Sequence, residues 1–178
     1  MMLRNILREI LQAVTADEPQ LFTDLYSRLL FVADKYALPP YILRELHNDV
    51  EIHRNDKIAL EEVANYDKIL LSPGPGIPSE AGIMAELIKT YSPTKSILGV
   101  CLGHQAIGEA FGGNLDNLSR VYHGVSTLMK QLGNDANFFQ DVPMVFEAGR
   151  YHSWVVNKNT LPHDLIVTAV DHQNEVMA

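Results

Sequence analysis

The stretch Ser96-Ile97-Leu98-Gly99-Val100-Cys101-Leu102-Gly103-His104-Gln105 joins a short apolar segment to a helical one through a cysteine. Cys101 is the only cysteine of the chain, and a glycine lies two residues away on either side. The pattern Gly99-x-Cys101-x-Gly103 is typical of a nucleophile elbow, a strand-to-helix turn so sharp that its neighbours must lack bulk. The stretch therefore predicts a strand, a strained turn that carries a thiol, and a helix.

The helix after this turn is predicted over residues 102–111, because Gly112-Gly113 is a typical helix stop. Cys101 would then lie at a helix N-terminus, where the helix dipole favours the thiolate. The alternative is a buried structural cysteine, since free cysteine is among the most buried residue types. The elbow pattern alone leaves both interpretations open.

A second stretch, Ser72-Pro73-Gly74-Pro75-Gly76-Ile77-Pro78, directly follows an apolar segment, residues 68–71, that reads as a buried strand. It predicts a rigid loop whose two glycines let backbone amides approach a ligand closely. Such amides, together with that of Leu102, are suited to hold the oxyanion that forms when a nucleophile attacks a carbonyl carbon. The loop and the cysteine therefore favour a shared site.

Predicted strands and helices alternate up to residue 111, which implies a parallel sheet with ligands bound beyond the carboxyl ends of its strands. The strands are predicted over 50–53, 68–71 and 97–100, and the helices over 58–64, 80–90 and 102–111, with Ser79 as an N-cap. After residue 113 short strands separated by polar turns follow, with a hairpin turn at 171–174. The predicted fold class is α/β, a three-layer, doubly wound, mostly parallel sheet of the flavodoxin-like kind with a late β-rich part.

The composition favours a single soluble domain. The chain has 178 residues, 47% of them hydrophobic, without an apolar run long enough to span a bilayer. With 14 basic and 22 acidic residues the formal charge is -8, which argues against nucleic acid as a partner. One cysteine cannot form an internal disulfide and no signal peptide is recognised, so we expect a cytoplasmic protein without a membrane partner.

Three motifs in this order and spacing resemble those of the class I glutamine amidotransferases. They are Ser72-Pro73-Gly74-Pro75-Gly76, the elbow from Gly99 to Gln105, and Gly149-Arg150-Tyr151-His152-Ser153. Within that family the chain is most similar to component II of anthranilate synthase and of aminodeoxychorismate synthase. The resemblance covers residues 41–178 and does not separate tryptophan from folate synthesis.

The resemblance implies that Cys101 attacks the side-chain amide of glutamine, and that amides near Gly76 and Leu102 hold the oxyanion. A glutamyl thioester then forms and is hydrolysed, and the ammonia passes to a chorismate-binding synthase subunit, component I. The resemblance implies no metal and no organic cofactor. It assigns substrate binding to Gly74, Pro75, Gly76, Gln105, Ser153 and Trp154.

The start of the chain departs from the family. Apolar residues at helical spacing predict helices over 3–14 and 22–33, so residues 1–40 are interpreted as an atypical helical segment before an amidotransferase domain at 41–178. The family begins instead with an apolar strand, which is central in a doubly wound sheet. We expect the two helices to cover its place; the alternatives are a partner-binding segment and a shifted or fused reading frame.

The end of the chain departs as well. In the family the histidine and glutamate that complete the catalytic triad lie in a His-Pro-Glu motif, and these 178 residues contain none. His104 follows Cys101 closely but is not the family's base, and His152 is the other candidate. The alternatives to an active amidotransferase are a catalytically inactive docking subunit, a gene fragment, and another cysteine-elbow protein such as a hydrolase or a glyoxalase-like chaperone.

Overall fold

The computed structural model describes residues 28–33, 49–133, 139 and 142–178. These residues belong to two compact units, the first comprising 28–33 and 49–111 and the second the described residues from 112 onward. Over the described ranges, no helix combines the length and the apolar character needed to cross a membrane.

The first unit is built on a four-stranded parallel sheet with the strand order β2-β1-β3-β4. Its strands are β1 (Arg28–Ala33), β2 (Asp49–Arg54), β3 (Lys68–Leu71) and β4 (Ser96–Gly99). Leu30 of β1 is in register with Glu51 of β2 on one side and with Ile69 of β3 on the other. The predictions of β2, β3 and β4 are confirmed, with each end shifted by one residue at most.

The strand Arg28–Ala33 is central in this sheet, so the helix predicted over 22–33 is wrong for these residues. The helical prediction used the spacing of Leu29, Val32 and Ala33, although residues 29–33 are apolar without interruption. An uninterrupted apolar run fits the apolar spacing of a helix as well as that of a strand. Such a run is typical of a parallel strand that is covered on both faces. The expectation that the first strand of the sheet is missing is therefore also wrong.

The predicted helical segment 1–40 thus contains the strand that β2 and β3 both pair with. The helix predicted over 3–14 lies outside the described residues. The domain boundary at residue 40 stays a prediction, and the position of β1 makes it testable.

Helices connect and follow these strands. The described part of the first unit contains two 3-10 helices and two α-helices: Leu60–Asn65, Pro78–Glu80, α1 (Met84–Tyr91) and α2 (Leu102–Ala110). The helix predicted from residue 80 begins only at Met84, and Ser79 is not its N-cap. Gly82 explains the delay, because its φ of +58° is a left-handed conformation that interrupts a helix.

The core of the first unit lies on one face of β3. Ile69 and Leu71 are fully buried there, in one cluster with side chains of both α-helices: Met84, Leu87, Ile88, Leu102 and Ala106. Leu70 points to the opposite face of the strand and is also fully buried. A strand buried on both faces confirms the prediction of a doubly wound α/β sheet.

The second unit consists of two antiparallel sheets, which confirms the predicted β-rich part. One pairs β5 (Leu115–Asn117) with β8 (Trp154–Val156); in the other, β6 (Val125–Gln131) lies between β7 (Val145–Arg150) and β9 (Ala169–Asp171). β5 was not predicted. β6 begins directly after Gly124, whose φ is +71°.

The hairpin turn predicted at 171–174 is confirmed. The Asp171 side chain accepts the amide N–H groups of Gln173 and Glu175 at 2.9 Å each, and the Asn174 amide donates to the Asp171 carbonyl oxygen at 3.0 Å. Beyond the turn, Val176 forms an antiparallel bridge with Val170 of β9. The aspartate therefore ties both arms of the turn together.

Removal of residues 1–40 is expected to abolish cooperative unfolding, because β2 and β3 would lose the strand that separates them. Thermal unfolding of the full and the shortened chain, followed by far-ultraviolet circular dichroism, measures this. A shortened chain that melts as sharply, and at the same temperature, would show that β1 is dispensable and that the fold begins after residue 40.

Candidate active site

The turn between β4 and α2 has the geometry of a nucleophile elbow. β4 ends at Gly99 and α2 begins at Leu102, so the chain reverses within Val100 and Cys101. Cys101 has a φ of 54° and a ψ of -106°, a sparsely populated conformation for a residue with a side chain. The predicted elbow is present, and its strain falls on the residue that carries the thiol.

Close contacts require both glycines of the elbow. A Cβ atom on Gly103 would lie 2.5 Å from the Leu71 carbonyl oxygen, and one on Gly99 would lie 2.5 Å from the Gly103 carbonyl oxygen. The same Leu71 oxygen accepts the amide N–H of Val100 at 3.0 Å. Only glycine therefore lets α2 begin directly against the end of β3.

Burial raises the pKa of the Cys101 thiol, and a hydrogen bond from the Leu102 backbone amide lowers it by a smaller amount. Among the described residues, no side chain forms a hydrogen bond with this sulfur. The predicted effect of the helix N-terminus is present in the bond from the Leu102 amide, but desolvation of the sulfur outweighs it, so the net shift of the Cys101 pKa is upward. A raised pKa favours the protonated thiol over the thiolate, so a reaction in which this sulfur attacks would need a base.

The Gly-Pro loop leaves the sheet beside the elbow. β3 and β4 are neighbours with Leu71 in register with Gly99, so Ser72 and Cys101 both follow the carboxyl ends of adjacent parallel strands. Ser72 is fully buried and donates its hydroxyl to the Pro73 carbonyl oxygen at 2.9 Å. The predicted placement of the loop and the cysteine at one edge of the sheet is confirmed.

Within this loop, Gly74 is half-buried, whereas Pro75 and Gly76 are exposed. Gly76 has a φ of +80°, a left-handed conformation that favours glycine, and a Cβ atom there would lie 2.8 Å from Oε2 of Glu80. The backbone at Gly76 is therefore accessible and held in a fixed, unusual conformation. These properties suit an amide that binds an oxyanion.

Two predicted site residues lie on α2 next to the cysteine. Leu102 is the first residue of the helix, where backbone amides have no acceptor within the helix. The Gln105 amide donates to the Cys101 carbonyl oxygen at 3.0 Å, and the Gln105 side chain is buried. The structure thus brings Cys101, Leu102 and Gln105 together with the Gly-Pro loop in the first unit.

Ser153 and Trp154, the other predicted site residues, belong to the second unit. Trp154 is the first residue of β8, and both side chains are partly buried. The Ser153 carbonyl oxygen accepts the Leu118 amide at 2.7 Å, and the His152 carbonyl oxygen accepts the Tyr122 amide at 3.1 Å. These bonds fix the backbone of the third motif within its own unit.

His152 has both ring nitrogens engaged. Nε of Arg150 donates to its Nε2 at 3.1 Å, so Nε2 accepts and the ring proton lies on Nδ1, which donates to the Trp154 carbonyl oxygen at 2.9 Å. Burial and the positive charge of Arg150 lower the pKa of His152, against smaller contributions from Trp154 and Asp171. A neutral imidazole without a free nitrogen is not suited to act as the base.

Sequence reasoning missed the pair of Arg150 and Asp171. Both side chains are buried, and the Nη1 atom of Arg150 donates to Oδ2 of Asp171 at 2.6 Å. The guanidinium carbon lies 3.6 Å from the ring centroid of Tyr122. In the sequence, Arg150 belongs to the Gly149 to Ser153 motif and Asp171 to the predicted hairpin turn. No local pattern indicates that side chains 21 residues apart form a pair.

In the described part of the chain, no group of three or more histidine, cysteine, aspartate or glutamate side chains could hold a metal ion. The family model for Glutamine amidotransferase class-I matches residues 39–178 of the chain. The chain belongs to the class-I glutamine amidotransferases.

The curated relatives of this amidotransferase include components of anthranilate and aminodeoxychorismate synthases. Anthranilate synthase component 2 of Pyropia yezoensis is 38% identical over 156 residues, which cover 84% of this chain and 82% of that protein. Aminodeoxychorismate/anthranilate synthase component 2 of Bacillus subtilis is 39% identical, with 80% and 73% covered. Bifunctional protein TrpGD of Thermotoga maritima is 43% identical over 131 residues, but the match spans only 22% of its length.

Solved structures confirm the fold of the amidotransferase. A glutamine amidotransferase of Thermotoga maritima superposes with a TM-score of 0.68 at 16% identity, covering 85% of this chain and 70% of that one. One from Methylobacillus flagellatus gives 0.66 at 13% identity, covering 82% and 61%. The predicted fold class, including the class I glutamine amidotransferase fold, is therefore correct.

Gly103→Ala is expected to lower the free energy of unfolding by about 3 kcal/mol or more, because the new Cβ atom would overlap the Leu71 carbonyl oxygen. Gly112→Ala is the matched control: nothing lies within 4 Å of its Cβ position, and only its φ of +100° opposes alanine, at about 1 kcal/mol. Urea denaturation of both variants measures the difference. Equal losses would contradict the contact between α2 and β3.

Alkylation of the protein by iodoacetamide reports on Cys101 alone, because the chain has one cysteine. Since burial raises the pKa of this thiol, we expect the rate to keep rising above the pH at which free cysteine levels off. The control is the same protein in denaturant, whose exposed thiol should show the ordinary pH profile. A profile shifted to lower pH in the folded state would show that the resting site already stabilises the thiolate.

Proposed function

We propose that this chain is the glutamine amidotransferase subunit of a chorismate-using synthase, either anthranilate synthase or aminodeoxychorismate synthase. The observation that carries the proposal is the strained Cys101 elbow beside the Gly-Pro loop, at the carboxyl ends of β3 and β4. The names of the curated relatives support the type of synthase. In this proposal the subunit hydrolyses glutamine and supplies ammonia to its partner.

The proposed reaction begins with attack by the Cys101 sulfur on the side-chain amide carbon of glutamine. The carbonyl electrons move onto oxygen, and amides near Gly76 and Leu102 stabilise the oxyanion. Collapse of this intermediate breaks the C–N bond and releases ammonia, which leaves a glutamyl thioester on Cys101. Water then hydrolyses the thioester to glutamate and restores the thiol.

The proposed reaction requires removal of the thiol proton, and burial opposes this step because it raises the pKa of Cys101. A base must take that proton and return it to the departing nitrogen. His152 does not suit this task, since Arg150 and the Trp154 carbonyl engage its two nitrogens. The family's base belongs to a His-Pro-Glu motif, which the 178 residues do not contain.

Substrate binding is proposed for two sets of residues. Gly74, Pro75, Gly76 and Gln105 belong to the first unit, where the geometry of the loop and of α2 supports the assignment. Ser153 and Trp154 belong to the second unit, and their assignment rests on the resemblance of the third motif. In that proposal their main chain contacts the glutamine substrate.

The proposed partner is the chorismate-binding component I of the synthase. The names of the relatives include both anthranilate and aminodeoxychorismate synthases, so the proposal covers tryptophan and folate synthesis alike. A mechanism that depends on one free thiol suits a reducing compartment such as the cytoplasm. The ammonia is delivered within the complex of the two subunits.

A second candidate function is a docking subunit that binds component I without hydrolysing glutamine. The raised pKa of the Cys101 thiol favours it, as does the engagement of both His152 nitrogens. The two candidates differ in whether the site activates the thiol when glutamine is present.

The proposed function predicts that a diazo-ketone analogue of glutamine adds once to the protein, on Cys101, and that excess glutamine suppresses the adduct. Intact mass measurement tests this, and Cys101→Ser should show neither adduct nor ammonia release while unfolding like the wild type. Undiminished ammonia release in Cys101→Ser would exclude the cysteine as nucleophile. A folded wild type that takes up no adduct would favour the docking subunit.

A further inference from the structure

The His152 ring links the two antiparallel sheets of the second unit. Its Nε2 atom accepts from Nε of Arg150, the last residue of β7, at 3.1 Å. Its Nδ1 atom donates to the carbonyl oxygen of Trp154, the first residue of β8, at 2.9 Å. β7 belongs to the three-stranded sheet and β8 to the two-stranded one. The ring therefore forms a bridge of two hydrogen bonds between the sheets.

This bridge requires a neutral ring. Nδ1 carries the ring proton, so a second proton binds at Nε2. The new N–H group then points at the Nε–H group of Arg150, and two donors that face each other form no hydrogen bond. Proton uptake also places a second positive charge beside the guanidinium. One proton thus removes the bond to β7 and replaces it with repulsion.

The groups around the ring are already engaged. Asp171 of β9 accepts Nη1 of Arg150 with one carboxylate oxygen and two amides of the hairpin turn with the other. Nη2 of Arg150 is buried and has no hydrogen-bond acceptor among the described residues. On the segment before β6, Tyr122 stacks on the His152 ring and under the guanidinium of Arg150, and Arg120 lies over the Tyr122 ring. A protonated His152 ring therefore finds no new acceptor in place.

We propose that His152 is an acid-released latch of the second unit. The neutral ring fastens the end of β7 to the start of β8, and proton uptake at Nε2 detaches it from Arg150 and loosens the turn at residues 152–154. The release is reversible, because no covalent bond breaks and Asp171 still holds Arg150.

The latch opens below the ordinary pKa of histidine, which is about 6.5. Burial lowers the pKa of His152 in the folded chain and the charge of Arg150 lowers it further, while Trp154 and Asp171 oppose this by smaller amounts. The unfolded chain therefore takes up the proton first. The stability that depends on the neutral ring is complete above about pH 6.5, and it is lost as the pH falls from there towards the lower pKa of the folded state.

Trp154 provides a local probe, because it is the only tryptophan of the chain and its carbonyl group accepts the bond from the ring. Its fluorescence and the far-ultraviolet circular dichroism are followed in the native protein from about pH 8 to about pH 5. We expect the emission to change with a one-proton midpoint below about pH 6.5 while the circular dichroism stays constant. His152→Gln, which is neutral at every pH, should abolish this change. His163→Gln, at an exposed histidine of the same unit, should retain it.

Urea denaturation measures the same linkage as stability. From about pH 8 to about pH 5.5, we expect the folding equilibrium constant of the wild type to fall about three- to tenfold more than that of His152→Gln, since uptake of one proton changes it by at most about tenfold per pH unit. His163→Gln should follow the wild type.

Two results would overturn the proposal. An emission change of equal size in His152→Gln would assign the acid response to another group, such as Asp171. An emission that stays constant until the circular dichroism collapses would show that His152 never releases the folded turn. If His152→Gln does not fold, the ring resonances of His152 in the wild type decide by nuclear magnetic resonance. A ring that titrates below about pH 6.5 in step with the Trp154 emission supports the latch, and any other titration contradicts it.

Discussion

The approach of Gly103 to the Leu71 carbonyl oxygen is the contact on which the elbow depends. It lets α2 start directly on the end of β3, and the chain between β4 and α2 then has only Val100 and Cys101 in which to reverse. The strained conformation of Cys101 follows from this short connection. The same contact places the first amides of α2 beside the loop that leaves β3, so one steric requirement positions both halves of the candidate site.

Most of the fold could be predicted because its segments carry unambiguous local patterns. β3 and β4 are short apolar runs, each followed by a glycine-rich turn, and these features identify strand, turn and order together. β1 was missed because a run of five apolar residues is compatible with both a strand and a helix, and only pairing with β2 and β3 decides between them. Tertiary context, and not propensity, selects the strand here.

For the candidate site, the sequence predicted where the residues lie better than it predicted the pKa of the thiol. The cysteine, the Gly-Pro loop and Gln105 lie in one unit at one edge of the sheet, as the motifs imply. The net shift of the Cys101 pKa was not predicted, because a sequence shows the helix that follows a thiol, which lowers the pKa, but not the burial that raises it. The hydrogen bonds that join Arg150 to His152 and to Asp171 arise only in the folded chain, so no local sequence pattern could show them.

The raised pKa of the buried thiol has a consequence for the lifetime of the protein. Peroxides oxidise thiolates much faster than thiols, and oxidation beyond the sulfenic acid is irreversible in most proteins. A raised thiol pKa lowers the fraction of thiolate and therefore slows this oxidation. Desolvation, which raises the pKa of Cys101, therefore also slows the oxidation of the only sulfhydryl group of the chain.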